Sequence, residues 1–257
     1  MVNWSSISHR SVLGQILRAP LATIPKSAVV PILSGPNRGF LWRVGAADHG
    51  CWLGSYEQEK QRALWRARRP GSTVLDIGAN VGFYTLLLSR GVGPEGQVIA
   101  IEPDRRNVAV LRLHLRLNRL PNVHTITGAV ASQRGLVTFA EGATRTTGRV
   151  VSTGEGRPVA AHRLDDLVFE SGMQVPSLIK MDIEGGEGDA LAGAPKLLAT
   201  RVTTWFVAVH SPEQAVACCA AFRRHKYRLT FLDGAEVPPD REASLSEFIA
   251  VPGPRHA

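Results

Sequence analysis

The sequence predicts an α/β fold in which a mostly parallel sheet is covered by helices on both faces. From Thr73 onward, short apolar runs alternate with longer segments whose apolar residues recur at helical spacing. The 257 residues are 44% hydrophobic and 20% charged, so the chain can bury a substantial core and lacks the composition of a disordered protein. The length fits one large domain with an extra segment at one end.

We place that extra segment at residues 1–70 and expect it to pack on a main domain of residues 71–257. Residues 7–17 carry apolar side chains loosely spaced on one helical face. Packing on the domain is the simplest role for that face, with contact to a membrane or the substrate site as alternatives. Strand-like runs at 28–30 and 40–44, separated by prolines and glycines, predict a hairpin. A helix is expected at 55–69.

The main domain follows a regular order of strands and helices. Strands are predicted at 74–77, 98–101, 123–130, 178–182 and 205–210, with closing strands at 228–232 and 247–251. Helices are predicted at 81–90, 104–118, 164–169, 187–198 and 212–225. Residues 131–161 are rich in glycine and strand formers, and we expect strands there without fixed bounds.

The loop from Asp76 to Gly82 lies between the first predicted strand and helix of the main domain. Glycines there permit a tight turn and bring the backbone close to a ligand at the helix N-terminus. The middle glycine of a dinucleotide fingerprint is missing, since Ala79 and Asn80 separate Gly78 from the next glycine. Asp76 suits the cationic amino-acid part of S-adenosylmethionine better than a pyrophosphate. The loop predicts a nucleoside-type cofactor, with a nicotinamide dinucleotide as the main alternative.

A second acidic residue, Glu102, ends the next strand and precedes Pro103, which helps to stop that strand. A carboxylate at this position can accept hydrogen bonds from both ribose hydroxyls of a nucleoside. Glu102 lies 24 positions after Gly78, near the spacing expected of a ribose-binding acid. These elements therefore form a consistent cofactor signature: a strand ending in an acid, the glycine loop, a helix, and a second strand ending in a glutamate.

The chain carries six characteristic segments in a fixed order: 52–57, 76–85, 92–96, 102–103, 164–167 and 179–187. Together they resemble the FkbM-type methyltransferases, over about residues 35–232. The resemblance implies a class I methyltransferase fold, a Rossmann-like three-layer sandwich with a seven-stranded sheet whose last strand is antiparallel. It also implies S-adenosylmethionine as the methyl donor and a hydroxyl acceptor on a small molecule, sugar or polyketide-like compound. Gly186 and Met181 depart from the usual pattern, which has Ala and Ile there.

The resemblance also implies which residues contact the cofactor. The glycine loop and the glutamate after the second strand are its main elements, extended by residues at the start of the following helix and at the ends of the third and fourth strands. The residues assigned to cofactor binding are Asp76, Gly78, Ala79, Asn80, Gly82, Tyr84, Thr85, Glu102, Pro103, Ala129 and Asp182.

The catalytic candidates lie where the fourth and fifth strands end, because ligands bind beyond the carboxyl ends of parallel strands. Methylation of an alcohol requires positioning and loss of the hydroxyl proton. His210 is a candidate base, and Asp182 can orient it, line the cofactor, or bind a divalent ion with Glu184 or Glu187. We assign no metal.

Each candidate also has a structural interpretation. Glu187 would favour a helix N-terminus through the helix dipole, Glu184 would be solvated, and His210 would be a turn residue before Ser211. Asp165 and Asp166 open a predicted short helix, where N-capping is the favoured role.

The charge balance bears on partners, with 30 basic against 22 acidic residues and a net charge of +8. Such a surplus attracts nucleic acid, a membrane surface or an anionic substrate without choosing between them. An arginine face at 105–119 is most simply solvated, and neither a base-methylation motif nor an RNA-binding module is recognisable. We therefore expect a small-molecule or glycan acceptor, and keep an RNA methyltransferase and a non-catalytic cofactor-binding protein as alternatives.

The cysteines and the hydropathy pattern give an expectation for the compartment. Cys51, Cys218 and Cys219 do not form a disulfide framework or a zinc-binding pattern. No segment reaches the roughly 18 apolar residues that a membrane-spanning helix needs. We expect a cytoplasmic protein, and the sequence does not set its oligomeric state.

Overall fold

A seven-stranded sheet forms the centre of the protein in a computed structural model, which describes residues 21, 23–142, 148–151 and 154–253. The helix expected at 7–17 lies outside the described residues. The strands in chain order are β1 (Val29–Pro31), β2 (Leu41–Arg43), β3 (Thr73–Ile77), β4 (Gln97–Glu102), β5 (Val123–Thr127), β6 (Ala129–Val130), β7 (Gly135–Ala140), β8 (Arg149–Val151), β9 (Arg157–His162), β10 (Leu178–Met181), β11 (Thr204–Ala208), β12 (Tyr227–Thr230) and β13 (Glu247–Pro252).

The central sheet has the strand order β12-β13-β11-β10-β3-β4-β5. The pairs β10–β11, β3–β10, β3–β4 and β4–β5 are parallel, whereas β13 runs antiparallel to both of its neighbours. The last strand in the sequence is thus the reversed one, which confirms the expected class I arrangement.

Helices cover both faces of this sheet, and every residue of β3 is buried as a result. Successive residues of a strand point to opposite faces, so Leu75 and Ile77 enter one apolar core while Val74 enters the other. The helices are α1 (His49–Leu53), α2 (Gln58–Ala67), α3 (Phe83–Val92), α4 (Arg105–Leu117), α5 (Leu164–Phe169), α6 (Glu187–Ala192), α7 (Pro195–Thr200) and α8 (Pro212–Arg224). No helix in the described part of the chain has both the length and the apolar character to cross a membrane.

The single helix expected at 187–198 is wrong, because two short helices occupy that segment. Gly193 follows the last residue of α6, and Pro195 is the first residue of α7. Proline has no N–H to donate and its ring clashes with a preceding helical turn, so it starts a helix better than it continues one.

The expected N-capping role of Asp165 within its own helix is also wrong. No side chain caps α5, and the Asp165 carboxylate instead accepts hydrogen bonds from the backbone N–H groups of Lys196 and Leu197, both at 2.9 Å. Those are the second and third residues of α7, whose own N-cap position is occupied by Ala194. Asp165 therefore caps a helix thirty residues further along the chain.

The third predicted strand, at 123–130, divides at Gly128. β5 stays in the central sheet, while β6 pairs with β9 in a second sheet of order β6-β9-β7-β8. A Cβ atom on Gly128 would lie 2.8 Å from both the Ala160 carbonyl oxygen and the His162 ring, so a side chain does not fit where the strand changes sheets. The strand-rich segment 131–161 thus forms most of this small sheet.

His114 of α4 holds strand β2 against the glycine loop. The ring of Trp42 stacks on the imidazole with centroids 4.0 Å apart. The imidazole Nδ1 lies 2.7 Å from the Val81 carbonyl and donates to it, while Nε2 accepts from the backbone N–H of Arg43 at 3.1 Å. Burial lowers the pKa of His114 to about 4, so the ring is neutral at pH 7 and bridges β2 to the glycine loop.

Candidate active site

A cavity of about 1030 Å³ lies beyond the carboxyl ends of β3, β4 and β10. The glycine loop and Glu102 form one side, and Asp182 with the residues after it forms another. The small sheet and, unexpectedly, Ala46 and Tyr56 of the N-terminal segment complete the wall. The position matches the rule that ligands bind beyond the carboxyl ends of parallel strands.

The glycine loop is shaped mainly by its own packing. Gly78 has φ +73° and a Cβ atom there would overlap the carbonyl oxygen of Asp182. Gly82 has φ +96°, and a Cβ atom there would lie 2.5 Å from Leu111. Both positions therefore require glycine whether or not a ligand is bound. Gly78 lines the cavity, whereas Gly82 does not.

Asp76 is completely buried and does not line the cavity. Its carboxylate accepts a hydrogen bond from the Thr85 hydroxyl at 2.6 Å and lies 3.3 Å from the Lys180 amine. Lys180 also donates to the carbonyl of Gly78 at 2.8 Å. Asp76 and Thr85, both predicted as cofactor contacts, thus brace the loop from behind, so any effect of theirs on a ligand is indirect.

Glu102 lines the cavity and is held firmly by the protein. One carboxylate oxygen accepts from the Asp104 N–H at 2.9 Å and from the Asn107 amide at 3.3 Å, and the other accepts from the Asn80 N–H at 2.8 Å. Burial raises the pKa of Glu102, and these hydrogen bonds oppose the shift. A carboxylate offers about four lone-pair positions. Three of these are used within the described residues, and the carboxylate keeps capacity for a ligand hydroxyl.

The remaining cofactor residues agree with a nucleoside ligand. An acidic acceptor beside apolar walls suits a ribose with its base, and no phosphate-binding cation lies at the glycine loop in the described residues except Lys180, which is paired with Asp76. The predicted cofactor residues that line the cavity are Gly78, Ala79, Asn80, Tyr84, Glu102, Pro103, Ala129 and Asp182.

Three of the predicted catalytic residues surround the fourth, His210, which lies two positions beyond the end of β11. Its Nδ1 lies 2.7 Å from the Glu187 carboxylate, and its Nε2 lies 3.5 Å from Asp182 and 3.7 Å from Glu184. Glu187 is fully buried and also accepts from the N–H of Gly185 at 3.0 Å. Glu187 therefore orients the imidazole, while the two carboxylates near Nε2 line the cavity.

The surrounding charges strengthen His210 as a base. The hydrogen bond to Glu187, aided by the charges of Asp182 and Glu184, raises the pKa of His210 despite the opposing effect of burial. Burial alone would raise the pKa of Asp182, but Lys180, Lys60 and His210 together hold it below its usual range. Asp182 is therefore ionised at neutral pH beside the ring that it faces.

Asp182, Glu184 and His210 can each offer a ligand atom within 4.8 Å of the other two, which is compact enough for one divalent ion. Carboxylate and imidazole ligands suit such ions. Lys60 already provides a positive partner for Asp182, and we assign no metal.

Sequence reasoning missed two residues of this region, Glu57 and Lys60. The Tyr84 hydroxyl donates to Glu57 at 2.5 Å, and the buried Lys60 amine lies 3.5 Å from Asp182. Glu57 belongs to the matching segment 52–57, so a signal for it existed. Lys60 follows in an ordinary amphipathic helix, where a single lysine is indistinguishable from a solvated one.

The sheet order, the glycine loop and Glu102 define a class I methyltransferase that depends on S-adenosylmethionine. The chain belongs to the FkbM methyltransferase family, because residues 76–229, more than half of its length, match the model of the methyltransferase FkbM domain. This assignment removes the nicotinamide enzyme as an alternative.

The chain is also similar to individual methyltransferases. The chain is 27% identical over 234 residues to the 31-O-demethyl-FK506 methyltransferase FkbM of Streptomyces tacrolimicus, covering 78% of this chain and 85% of that protein. It is 34% identical over 64 residues to an arsenite methyltransferase of Halobacterium salinarum, covering 25% of this chain and 16% of that protein. A methyltransferase FkbM from Methylobacillus flagellatus has a similar fold, with a TM-score of 0.51 and 17% identity over 79% of this chain. This chain spans only 55% of that longer one.

Proposed function

We propose that the protein is an O-methyltransferase that transfers the methyl group of S-adenosylmethionine to a hydroxyl of a small molecule, a sugar or a polyketide-like acceptor. The observation that carries this proposal is the pair formed by His210 and the buried Glu187, placed beside two carboxylates of the cavity. An oriented imidazole at this position fits an acceptor that must lose a proton.

The cofactor half of the cavity would be formed by Glu102 and the glycine loop. When bound, S-adenosylmethionine supplies a methyl group on a positively charged sulfur. Glu102 would bind one ribose hydroxyl through its remaining lone pair, and the apolar residues Pro103 and Ala129 would line the base.

His210 would act as the general base. With its Nδ1 proton donated to Glu187, the neutral ring would expose a lone pair at Nε2. That lone pair would accept the hydroxyl proton as the acceptor oxygen bonds to the methyl carbon and the methyl–sulfur bond breaks, which leaves S-adenosylhomocysteine. The imidazolium that results is stabilised by Glu187, Asp182 and Glu184, and it returns its proton to solvent after product leaves.

A relative supports the choice of oxygen as the methylated atom. The name of the Streptomyces tacrolimicus enzyme describes an acceptor that lacks a methyl group on oxygen. We infer the same kind of acceptor atom for this chain, without inferring the same acceptor. The free, buried cysteines are consistent with our proposal of a cytoplasmic location, because reduced thiols are usual there.

The experiment that tests this function is a methyl-transfer screen with radiolabelled S-adenosylmethionine across polyketides, glycans, lipids and RNA. We expect label on a hydroxyl oxygen of a small acceptor. Label on RNA bases would overturn the proposal in favour of the RNA methyltransferase. Retained activity in EDTA without added metal is expected, and loss of activity that Mg²⁺ restores would refute the metal-free mechanism.

His210→Ala tests the base directly. We expect kcat to fall by about 100-fold to 10,000-fold while cofactor affinity measured by calorimetry is unchanged. Ser211→Ala is the matched control, because it changes the neighbouring helix cap without touching the imidazole. Normal turnover in a folded His210→Ala protein would exclude His210 as the base.

A further inference from the structure

A buried lysine of α2, Lys60, lies against Asp182, a residue that lines the cavity. The Lys60 side chain, in α2, is only 6% exposed. Its amine lies 3.4 Å from Glu57, 3.5 Å from Asp182 and 3.3 Å from Glu247. These carboxylates come from the start of α2, the end of β10 and the start of β13, so one ammonium joins three distant parts of the chain.

The amine carries a permanent charge in this environment. Burial acts against the charged form, but Asp182, followed by Glu57 and Glu247, more than offsets it and raises the pKa of Lys60. The ring of Tyr84 adds a cation–π contact, with the Lys60 amine 5.5 Å from its centroid. Since a buried ammonium is stable only when paired, Lys60 requires these carboxylates, which are themselves 27–40% exposed.

The two oxygens of Asp182 are divided between Lys60 and His210. Oδ2 lies 3.5 Å from the Lys60 amine, and Oδ1 lies 3.5 Å from Nε2 of His210. The ion pair with Lys60 therefore limits rotation of the carboxylate and moderates the negative charge that the imidazole faces. A lysine that only attached α2 to the domain would not affect the orientation or the charge of Asp182.

We propose that Lys60 is a positioning residue for methyl transfer: by holding Asp182 it sets the orientation and basicity of His210. This inference rests on the proposed function of His210 as the base. It makes the N-terminal segment part of the catalytic unit, although the segment lies outside the region 76–229 that matches the family model.

The charges around both groups give the direction of the expected pH effect. His210 faces Glu187, Asp182 and Glu184, and Lys60 faces Asp182 with the other carboxylates described above. Lys180 lies on the same Tyr84 ring at 5.6 Å but is paired with Asp76. Without the Lys60 charge, Asp182 stabilises the imidazolium more strongly. The pKa of His210 then rises, and the acid limb of kcat/KM moves to higher pH.

The test compares Lys60→Met, Lys60→Arg and the control Arg62→Met, which removes an exposed basic side chain from the same helix. We expect Lys60→Met to lower kcat by about 10-fold to 100-fold and to move the acid limb to higher pH, with cofactor affinity within about twofold of wild type. Lys60→Arg should restore most of kcat, and Arg62→Met should match wild type.

A second variant, Lys60→Met/Glu247→Gln, removes one cation and one carboxylate together and covers the case in which Lys60→Met alone fails to fold. It should show the same loss of kcat and the same pH shift. Wild-type kcat and pH profile in either folded Met variant would overturn the inference and leave Lys60 a structural residue. His210→Ala is measured in parallel: if it turns over normally, the proposed function fails and this inference with it. If His210→Ala loses activity but the Lys60 variants keep the wild-type kcat and pH profile, this inference alone fails.

Discussion

Glu102 shows what a single carboxylate does when most of its hydrogen bonds are internal. We predict that Glu102→Ala weakens S-adenosylmethionine binding by about 10-fold to 100-fold, because a hydrogen bond to a charged group is lost and the N–H groups of Asn80 and Asp104 lose their acceptor. Calorimetry with S-adenosylhomocysteine measures the change, with the exposed Glu95→Gln as control. Wild-type affinity in a folded Glu102→Ala protein would remove the ribose role.

Glu187 provides a second prediction at the scale of a residue. The proposed base works in its neutral form, so activity appears as pH rises through the raised pKa of His210. Glu187→Gln retains an acceptor for Nδ1 but removes the charge that contributes most to the shift. We predict that the acid limb of kcat/KM moves to lower pH.

The control for that profile is Glu213→Gln, a fully exposed position at the start of the helix that follows His210. Its acid limb should coincide with wild type. If Glu187→Gln also leaves the limb in place, another group sets the acid limb, and Glu187 does not tune the imidazole.

Individual residues were predictable where the chemistry is local. Glu102 and Pro103 stand beside each other at a strand end, and their place in the cavity follows from the strand alone. The position of Asp76 behind the loop was not predictable, because its partners Thr85 and Lys180 are brought to it only by packing. Lys60 was missed because its ion pair joins residues 122 positions apart.

At the scale of elements, Asp165 couples two helices that are separate in the chain. We predict that Asp165→Ala lowers the free energy of unfolding by about 1–2 kcal/mol, since the first turn of α7 loses the cap on two backbone N–H groups. Urea denaturation measures this. Asp166→Ala is the control, because it removes only surface ion pairs with Arg134 and Arg163. Equal losses in the two variants would contradict the cap.

The elements themselves follow largely from periodicity. The predicted strands and helices of the main domain are present, with ends shifted by a few residues, because each has an apolar face of its own. The helix break at Gly193 and Pro195 and the change of sheet at Gly128 were not predicted. Both depend on contacts with residues that are distant in the sequence. Gly128, for example, lies close to Ala160 and His162.

At the scale of the whole molecule, His114 makes the attachment of the N-terminal segment sensitive to acid. Its pKa is about 4 when folded and 6.5 as a free side chain. The unfolded chain therefore binds the proton first, so the stability contributed by the neutral ring is complete above pH 6.5 and is lost as pH falls towards 4. We predict a loss of about 3 kcal/mol in unfolding free energy across that range.

The measurement is urea denaturation of wild type and His114→Gln between pH 6.5 and 5, above the range in which most carboxylates titrate. The wild type should lose stability more steeply, because only it carries the buried imidazole. Parallel slopes for the two proteins would show that His114 does not couple folding to pH.

The overall architecture was predictable because alternating strands and helices permit few arrangements. The small sheet was not, since its pairing brings together β6 and β9 from either end of a glycine-rich segment. The contribution of residues 46–56 to the cavity was also beyond sequence reasoning, because the contacts that place them, such as those of Tyr56 with Phe83 and Tyr84, join residues distant in the chain.

The place of β13 between β11 and β12 has a consequence for folding. β13 follows β11 and α8 in the chain, so the β11 edge with Trp205, Phe206 and Val207 is covered only when β13 docks. Open strand edges of this kind invite wrong pairing. Docking of β13 also brings Glu247 to Lys60. The same strand therefore protects the apolar edge from other chains and supplies a carboxylate to the buried lysine.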